Sequence, residues 1–171
     1  EQTDHLGGTF IAASAESYKG KLRDLLTWYR KQMADLKIEI HYNEKVESIA
    51  PFASAPVIIA TGAVPRVLKK VPGHEKMVEA CEYLNGTPVG EKVAVIGGGH
   101  VGLEVAHFLC ANNKVTIVEM ADEIGASVYY ITKFKLLPLL REAGVTFRTG
   151  QAIAAVDDGG IRLRDTHTGQ C

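Results

Sequence analysis

The sequence predicts the α/β class, in which helices cover a parallel sheet. Short apolar runs at 92–96 and 115–118 have the length and composition of buried parallel strands. A helical spacing of apolar residues separates them, and a second helical stretch precedes a third strand-like run at 145–147. Because consecutive strand–helix–strand units cross over with the same hand, we expect the three runs to form one parallel sheet.

The first half of the chain carries weaker signals, which still predict a series of elements. Apolar residues in the longest helical stretch recur at three- and four-residue spacing, and we interpret this stripe as facing a core. The expected elements are a glycine turn at Leu6-Gly7-Gly8, a helix over 16–36, a strand over 37–41, a buried strand over 57–60, a linker over 62–75 and a short helix over 78–84.

The second half has clearer signals for where its helices and strands begin and end. Pro138 lies inside a predicted helix and should kink it, since proline has no N–H to donate. Asp157 to Gly160 reads as a four-residue hairpin loop. The expected elements are strands at 92–96, 115–119 and 145–148, helices over 103–111 and 130–143, and hairpin strands at 152–156 and 161–164.

Composition excludes several classes of function. The chain has 171 residues, of which 46% are hydrophobic, so one domain or two small lobes can form a core. Its 19 basic and 20 acidic residues are not segregated, which argues against a nucleic-acid partner. No apolar run approaches the roughly 20 residues of a membrane span, and no signal-peptide pattern is present, so a cytoplasmic location is expected. The three cysteines have neither metal-site nor redox-pair spacing, and we expect no metal site.

The loop between the first two strands of the second half carries the chemistry. Gly97-Gly98-Gly99-His100-Val101-Gly102 fits the G-x-G-x-x-G pattern of Rossmann dinucleotide-binding folds, with a strand before it and a helix after it. Gly97 permits a tight turn, Gly99 lets a pyrophosphate approach the backbone, and Gly102 lets the helix pack on the strand. The helix N-terminus offers free N–H groups and its positive dipole end to the phosphates. We therefore predict a dinucleotide site in this loop, against the alternative of a glycine-rich turn without a ligand.

An acid at the end of the second strand completes this pattern. Glu119 lies 22 positions after Gly97 and can accept hydrogen bonds from the hydroxyls of an adenosine ribose. No arginine follows it to receive a 2′-phosphate, which favours NAD(H) over NADP(H). His100 could contact the dinucleotide or only cover the loop. Glu104, on the first helical turn, has the alternative role of favourable charge–dipole placement.

These motifs resemble the C-terminal half of the flavoenzymes that include 2-enoate reductase, 2,4-dienoyl-CoA reductase and trimethylamine dehydrogenase, within the broader glutathione-reductase-like class. The resemblance covers nearly the whole chain. It is carried by Leu6-Gly7-Gly8, Ile58-Ile59-Ala60-Thr61-Gly62-Ala63-Val64-Pro65, Val71-Pro72-Gly73, the stretch from Val93 to Glu104, the strand ending in Glu119, and Glu142-Ala143-Gly144-Val145.

The resemblance implies two lobes: a partial FAD-type lobe with a linker over 1–87, and a Rossmann-like NAD(H)-binding lobe over 88–171 that is truncated at its end. It makes Glu1 the acid that would hold the adenosine ribose of FAD, followed by Gly7 and Gly8. It makes Ala60, Thr61 and Gly62 the turn that passes near this dinucleotide.

Parts of the family pattern are absent from the sequence. The first strand and glycine loop of the FAD-type lobe, its final strand, and any barrel or cysteine cluster are missing, so we expect a piece of a longer polypeptide. We therefore expect this chain alone to bind little FAD and to self-associate through apolar surface left uncovered. The resemblance places FMN and an iron–sulfur cluster, where present, in a preceding barrel domain, which would be the partner of this chain.

Two functions follow from the resemblance. In the first, the full protein takes hydride from NADH onto flavin and reduces an enoate or dienoyl double bond, with no catalytic residue in this chain. In the second, as in trimethylamine dehydrogenase-like proteins, the lobe holds an adenine nucleotide without turnover. A disulfide reductase is disfavoured because no C-x-x-C motif is present.

Overall fold

The computed structural model describes all residues from 1 to 171, which form two compact units, 1–65 and 66–171. Residues 66–87, which the sequence analysis groups with the first lobe, belong to the second of these units. The helices are α1 (Thr9–Ala13), α2 (Gly20–Asp35), α3 (Ala80–Leu84), α4 (His100–Leu109) and α5 (Tyr130–Glu142), with short 3-10 turns at Ser17–Lys19, Ala50–Phe52 and His74–Lys76. The strands are β1 (Lys92–Ile96), β2 (Lys114–Val118), β3 (Thr146–Arg148), β4 (Gln151–Asp157) and β5 (Gly160–Asp165).

The second unit contains the predicted parallel sheet. Its strand order is β1-β2-β3, with Val95 opposite Ile117 and Ile117 opposite Phe147. The adjacency and direction of β1 and β2 confirm the α/β, Rossmann-like fold class. β4 and β5 form a separate antiparallel hairpin whose loop contains only Asp158 and Gly159, so the predicted four-residue loop is wrong: Asp157 and Gly160 pair with each other.

One apolar core fixes α4 and α5 against this sheet. Leu103 and Leu109 of α4, Ile117 of β2 and Leu140 of α5 are essentially inaccessible to solvent. Burying each such side chain contributes about 1.5–3 kcal/mol relative to leaving it exposed. α5 continues through Pro138 as a single helix. The core therefore holds the N-terminus of α4 in a fixed position at the carboxyl edge of the sheet.

The linker before α3 is attached to the hairpin of the same unit. Gly73 has a φ of 78°, and a Cβ there would lie 1.9 Å from the carbonyl oxygen of Val156. The amide of Val156 donates to Pro72, and Lys76 forms an ion pair with Asp158. α3 itself begins with a capping box in which Glu79 and the residue three positions later bond each other's backbone amides.

The first unit has α1, α2 and irregular chain but no strand. Its only fully buried apolar side chain is Ala12, and the predicted core-facing stripe of α2 is only partly buried: Leu22, Leu26 and Met33 are half-buried. Three members of the stripe, Leu25, Tyr29 and Leu36, are exposed.

Two predicted strands in the first unit are also wrong. At 37–41 the left-handed Lys37 (φ 52°) ends α2, and the amide of Ile38 bonds back to Met33, so these groups close a helix instead of pairing across a sheet. At 57–60 the chain is extended but unpaired, and Ile58 and Ile59 are exposed. A strand requires a ladder of hydrogen bonds to a neighbouring segment. At 37–41 the only such contact is at the end, where the amino group of Glu1 donates to the carbonyl of His41 at 3.0 Å, and residues 57–60 form no backbone hydrogen bond to a neighbour. None of the helices combines the length and apolar character needed to cross a membrane.

Candidate functional site

The chain turns sharply where β1 ends. Gly97 has a φ of 105°, a conformation that side-chain-bearing residues rarely adopt, and its amide donates to the carbonyl of Val118 at 2.8 Å. This bond holds the start of the glycine loop against the end of β2. The turn thereby directs the following residues across the carboxyl edge of the sheet.

Gly102 lies where the first turn of α4 crosses this loop. A Cβ at this position would lie 1.9 Å from the carbonyl oxygen of Gly97 and 3.0 Å from its carbon. No side chain fits there without moving backbone, so glycine is required for the close packing of helix and loop. This is the role that the sequence analysis assigns to Gly102.

The N-terminus of α4 is open toward the site. Gly99 is the N-cap residue, no side chain caps the helix, and the amide of Leu103 makes the bond to Gly99 that starts the helical ladder. The amides of His100, Val101 and Gly102 therefore have no intrahelical acceptor. They are available, together with the positive end of the helix dipole, for an anion.

Glu119 lies beside this loop and already makes two hydrogen bonds. One carboxylate oxygen accepts from the amide of Gly98 at 2.7 Å, and the other accepts from the amide of Ala121 at 2.8 Å. Each oxygen retains lone-pair capacity for a ribose hydroxyl. A Cβ at Gly98 would approach this carboxylate to 3.3 Å and Ile124 to 3.0 Å, which explains the glycine at the middle position.

The two polar side chains at the start of α4 lie next to each other. His100 Nε2 is 3.4 Å from Glu104 Oε1, one turn later. This pair lies on the partly exposed surface of the helix, and the Val101 side chain is also exposed. His100, Val101 and Glu104 therefore lie at the edge of the glycine loop.

A turn over residues 124–128 lies beside this loop, and it was not predicted from the sequence. The amide of Gly125 donates to the carbonyl of Gly98 at 2.9 Å, while Ile124 and Val128 are buried in the core on either side. Beyond the adjacent residues of the chain, the Ser127 hydroxyl is the only atom within 4 Å of a Cβ built on Gly99. The sequence indicates a turn here only through Gly125 between the apolar residues Ile124 and Val128. This pattern does not show which loop the turn covers.

A second missed feature holds the segment after Glu119. The Thr166 hydroxyl donates to the carbonyls of Met120 and Gly150, at 3.3 and 3.0 Å. His167 Nε2 lies 2.6 Å from Asp122 Oδ1, and this hydrogen bond raises the pKa of His167 above its usual value. These contacts join residues 16 to 46 positions apart, so no local pattern could indicate them.

The residues predicted for an FAD-type site are not assembled into a cradle. The carboxylate of Glu1 accepts from the amide and hydroxyl of Thr3, and these hydrogen bonds lower its pKa. Gly7 and Gly8 precede α1, where Gly8 (φ 46°) is the N-cap residue. Ala60, Thr61 and Gly62 are exposed, lie outside any helix or strand, and make no hydrogen bond with Glu1, Gly7 or Gly8. Without a sheet in this unit, these residues do not fit an FAD pyrophosphate as they stand.

The residues of the second unit fit a nicotinamide dinucleotide. The uncapped N-terminus of α4, the open space over Gly99 and the carboxylate of Glu119 form one continuous surface. No group of three or more His, Cys, Asp or Glu side chains is placed to hold a metal ion. The arrangement offers backbone hydrogen-bond donors at the helix end and a carboxylate acceptor at Glu119.

Curated proteins with similar sequences are oxidoreductases by name. The chain is 33% identical to an NADH oxidase of Thermoanaerobacter brockii over 94% of its own length and 26% of that protein. It is 34% identical to a cinnamate reductase of Clostridium sporogenes, over 95% of this chain and 25% of the relative. The chain therefore spans about a quarter of the length of these relatives.

Solved structures show the same fold. A 2-naphthoyl-CoA reductase in complex with 2-naphthoyl-CoA aligns with a TM-score of 0.82 at 22% identity, covering 99% of this chain and 26% of that one. A histamine dehydrogenase from Rhizobium sp. 4-9 aligns with a TM-score of 0.67 at 15% identity, covering 99% and 29%.

A family model provides the assignment. The model of the pyridine nucleotide-disulphide oxidoreductases matches residues 39–170, which include the whole glycine loop and Glu119. The chain belongs to the pyridine nucleotide-disulphide oxidoreductase family.

Proposed function

We propose that this chain binds NAD(H) through the loop 97–102 and Glu119, as the nicotinamide-nucleotide lobe of a flavin-dependent oxidoreductase that reduces an enoate or dienoyl double bond. The observation that carries the proposal is the position of Glu119. Its carboxylate lies on the glycine loop itself, 2.7 Å from the amide of Gly98. The acid and the phosphate-binding helix end therefore belong to one surface.

Each part of this surface has a distinct task. The amides at the N-terminus of α4 would hold the pyrophosphate, and the absence of a side chain at Gly99 leaves room for it. Glu119 would accept hydrogen bonds from the hydroxyls of the adenosine ribose. NADH, when bound, supplies a hydride for flavin. The contribution of these residues is to fix the nucleotide so that its reactive end is correctly oriented.

The identity of the substrate rests on relatives rather than on a pocket in this chain. The cinnamate reductase is named for an unsaturated carboxylate, and it aligns over nearly all of this chain. This similarity supports an enoate-type substrate for the complete protein. We assign no catalytic residue within 1–171, and we propose that substrate, flavin and any FMN or iron–sulfur cluster are held by other parts of a longer polypeptide.

Glu119 should also make the site selective for NADH over NADPH. A ribose 2′-phosphate would be placed against a carboxylate whose two oxygens are already fixed by backbone amides. Like charges about 4 Å apart repel by roughly 4 kcal/mol per unit pair at an effective dielectric of 20. Glu119 is partly exposed, so solvent reduces this value, but 1.4 kcal/mol already corresponds to about tenfold in affinity.

The test is a titration of NADH and NADPH against wild type, Glu119→Ala and the control Glu123→Ala. We expect at least about tenfold preference for NADH in wild type, loss of that preference in Glu119→Ala, and no change in the control. Glu123 is the right control because it is a nearby acid that pairs with Lys133 instead of the glycine loop. Equal affinities in wild type, or an equal effect of both substitutions, would refute the assignment of Glu119.

A further inference from the structure

We propose that the hydroxyl of Ser127 is an additional hydrogen-bond donor to the pyrophosphate, supplied by the turn 124–128 that follows β2. The inference rests on the proposed function, because it assigns a further residue to the same nucleotide site. Ser127 lies outside the G-x-G-x-x-G loop and is 25 positions after Gly102.

The backbone of the turn is fixed relative to the glycine loop. Gly125 donates its amide to the carbonyl of Gly98 at 2.9 Å, and the amide of Val128 closes the turn onto Gly125 at 3.0 Å. Ile124 and Val128 anchor its two ends in the core, each with 8% of its surface exposed. The position of the Ser127 backbone over the loop is therefore set before any ligand binds.

The side chain of Ser127 faces the space that a phosphate would enter. Its Oγ lies 4.0 Å from a Cβ built on Gly99, and beyond the adjacent residues of the chain no other atom lies within that distance. A group occupying the space over Gly99 would thus have the N-terminus of α4 on one side and Ser127 on the other. Ser127 is exposed, so rotation about its Cα–Cβ bond can bring the hydroxyl toward a bound oxygen.

The chemistry of the loop leaves a need for such a donor. Residues 97–104 include no lysine or arginine, so the loop offers the pyrophosphate no permanently charged side chain. Lys133, the nearest lysine to Gly125, is paired with Glu123. A hydroxyl that donates to a charged oxygen makes a stronger hydrogen bond than a neutral pair does.

The experiment measures the affinity of the 171-residue chain for NADH, ADP-ribose and adenosine in wild type, Ser127→Ala, Ser127→Thr and the control Thr149→Ala. ADP-ribose contains the pyrophosphate, whereas adenosine contains only the part assigned to Glu119. We expect Ser127→Ala to weaken NADH and ADP-ribose by roughly fivefold to tenfold and to leave adenosine unchanged. Ser127→Thr should retain most of the affinity, and Thr149→Ala, which removes an exposed hydroxyl away from Gly99, should equal wild type.

The outcomes separate this inference from the function on which it rests. Unchanged NADH and ADP-ribose affinities in Ser127→Ala, with binding intact in wild type, would overturn the role of Ser127 alone. An equal loss for adenosine would also overturn it, because Ser127 would then shape the loop without contacting the pyrophosphate. No NADH binding by wild type would refute the nucleotide site and the role of Ser127 with it.

Discussion

Gly102→Ala is the sharpest test of how α4 is positioned, because two effects of the substitution have opposite signs. Replacing a glycine inside a helix by alanine normally stabilises the helix by up to about 1 kcal/mol. Here the new Cβ would lie 1.9 Å from the carbonyl oxygen of Gly97, so loop or helix must move by roughly 1 Å. Overpacking of this kind costs about 1–3 kcal/mol or more. The atoms that the new Cβ meets are the backbone oxygen and carbon of Gly97, which cannot rotate away as a side chain can. We expect the clash to dominate by about 1–2 kcal/mol and Tm to fall by roughly 2–8 °C.

The assay is thermal unfolding by far-UV circular dichroism, together with NADH affinity. Gly90→Ala is the matched control, since a Cβ there has no atom within 4 Å and the backbone does not have a positive φ. It should leave Tm unchanged or slightly higher. A displacement of about 1 Å at the helix end should also weaken NADH binding by about tenfold or more, since binding groups must hold their geometry within about 0.5 Å. A Gly102→Ala variant as stable as the control would show that the loop and α4 are not packed as described.

Two further predictions concern the hairpin and the turn that follows it. Gly73→Ala should lower Tm more than Gly86→Ala. Both glycines have a positive φ, but only at Gly73 would a Cβ clash with the carbonyl oxygen of Val156, at 1.9 Å. Equal shifts in Tm by circular dichroism would contradict this contact. The hydrogen bond to Asp122 raises the pKa of His167, so its stabilisation is complete below the unfolded pKa of about 6.5 and is lost as pH rises through the higher folded value. Amide hydrogen exchange in the turn 165–169 should therefore accelerate above about pH 6.5 by more than the intrinsic pH dependence of exchange. The variant His167→Gln should lose this additional acceleration. An exchange profile identical to that of wild type in this variant would refute the role of His167.

The sequence predicts the second unit well because its signals are local. A five-residue apolar strand, a glycine loop and a helix follow one another without interruption from β1 to α4, and each signal supports the next. The same applies to the acid at the end of β2, since parallel strands bring their carboxyl ends to one edge. The roles assigned to Gly97 and Gly102 agree with the turn and the close approach in the structure.

Prediction from sequence was poorer where structure depends on distant partners. The apolar run 57–60 has the composition of a buried strand, but Ile58 is 91% exposed because no neighbouring strand pairs with it. The stripe on α2 likewise has the periodicity of a buried face, but only Leu22, Leu26 and Met33 are half-buried and the rest of it is exposed. Composition and periodicity report what a segment is suited to bury, whereas burial also requires the second surface. Little FAD binding, self-association and the boundary of the two lobes at residue 87 stay predictions.

The site was incompletely predicted for a related reason. Ser127 lies in a turn that a hydrogen bond to Gly98 holds beside the glycine loop, and His167 holds the segment after Glu119 through Asp122. Neither residue stands in a motif. A sequence motif identifies the part of a binding site that one continuous segment forms. It does not indicate which distant segments fold over that part.

The two hydrogen bonds of Glu119 give this residue a structural role that does not involve a ligand. Its carboxylate ties the loop after β1 to the segment after β2, as a brace across neighbouring strands. Removing it would leave the amide of Gly98 without that acceptor, a cost of about 1–3 kcal/mol where the group is shielded from water. A lobe that had lost cofactor turnover would still be held together by the same residue. An acid at this position is therefore evidence of the architecture first; a nucleotide site is shown by measured affinity, and redox activity by measured turnover.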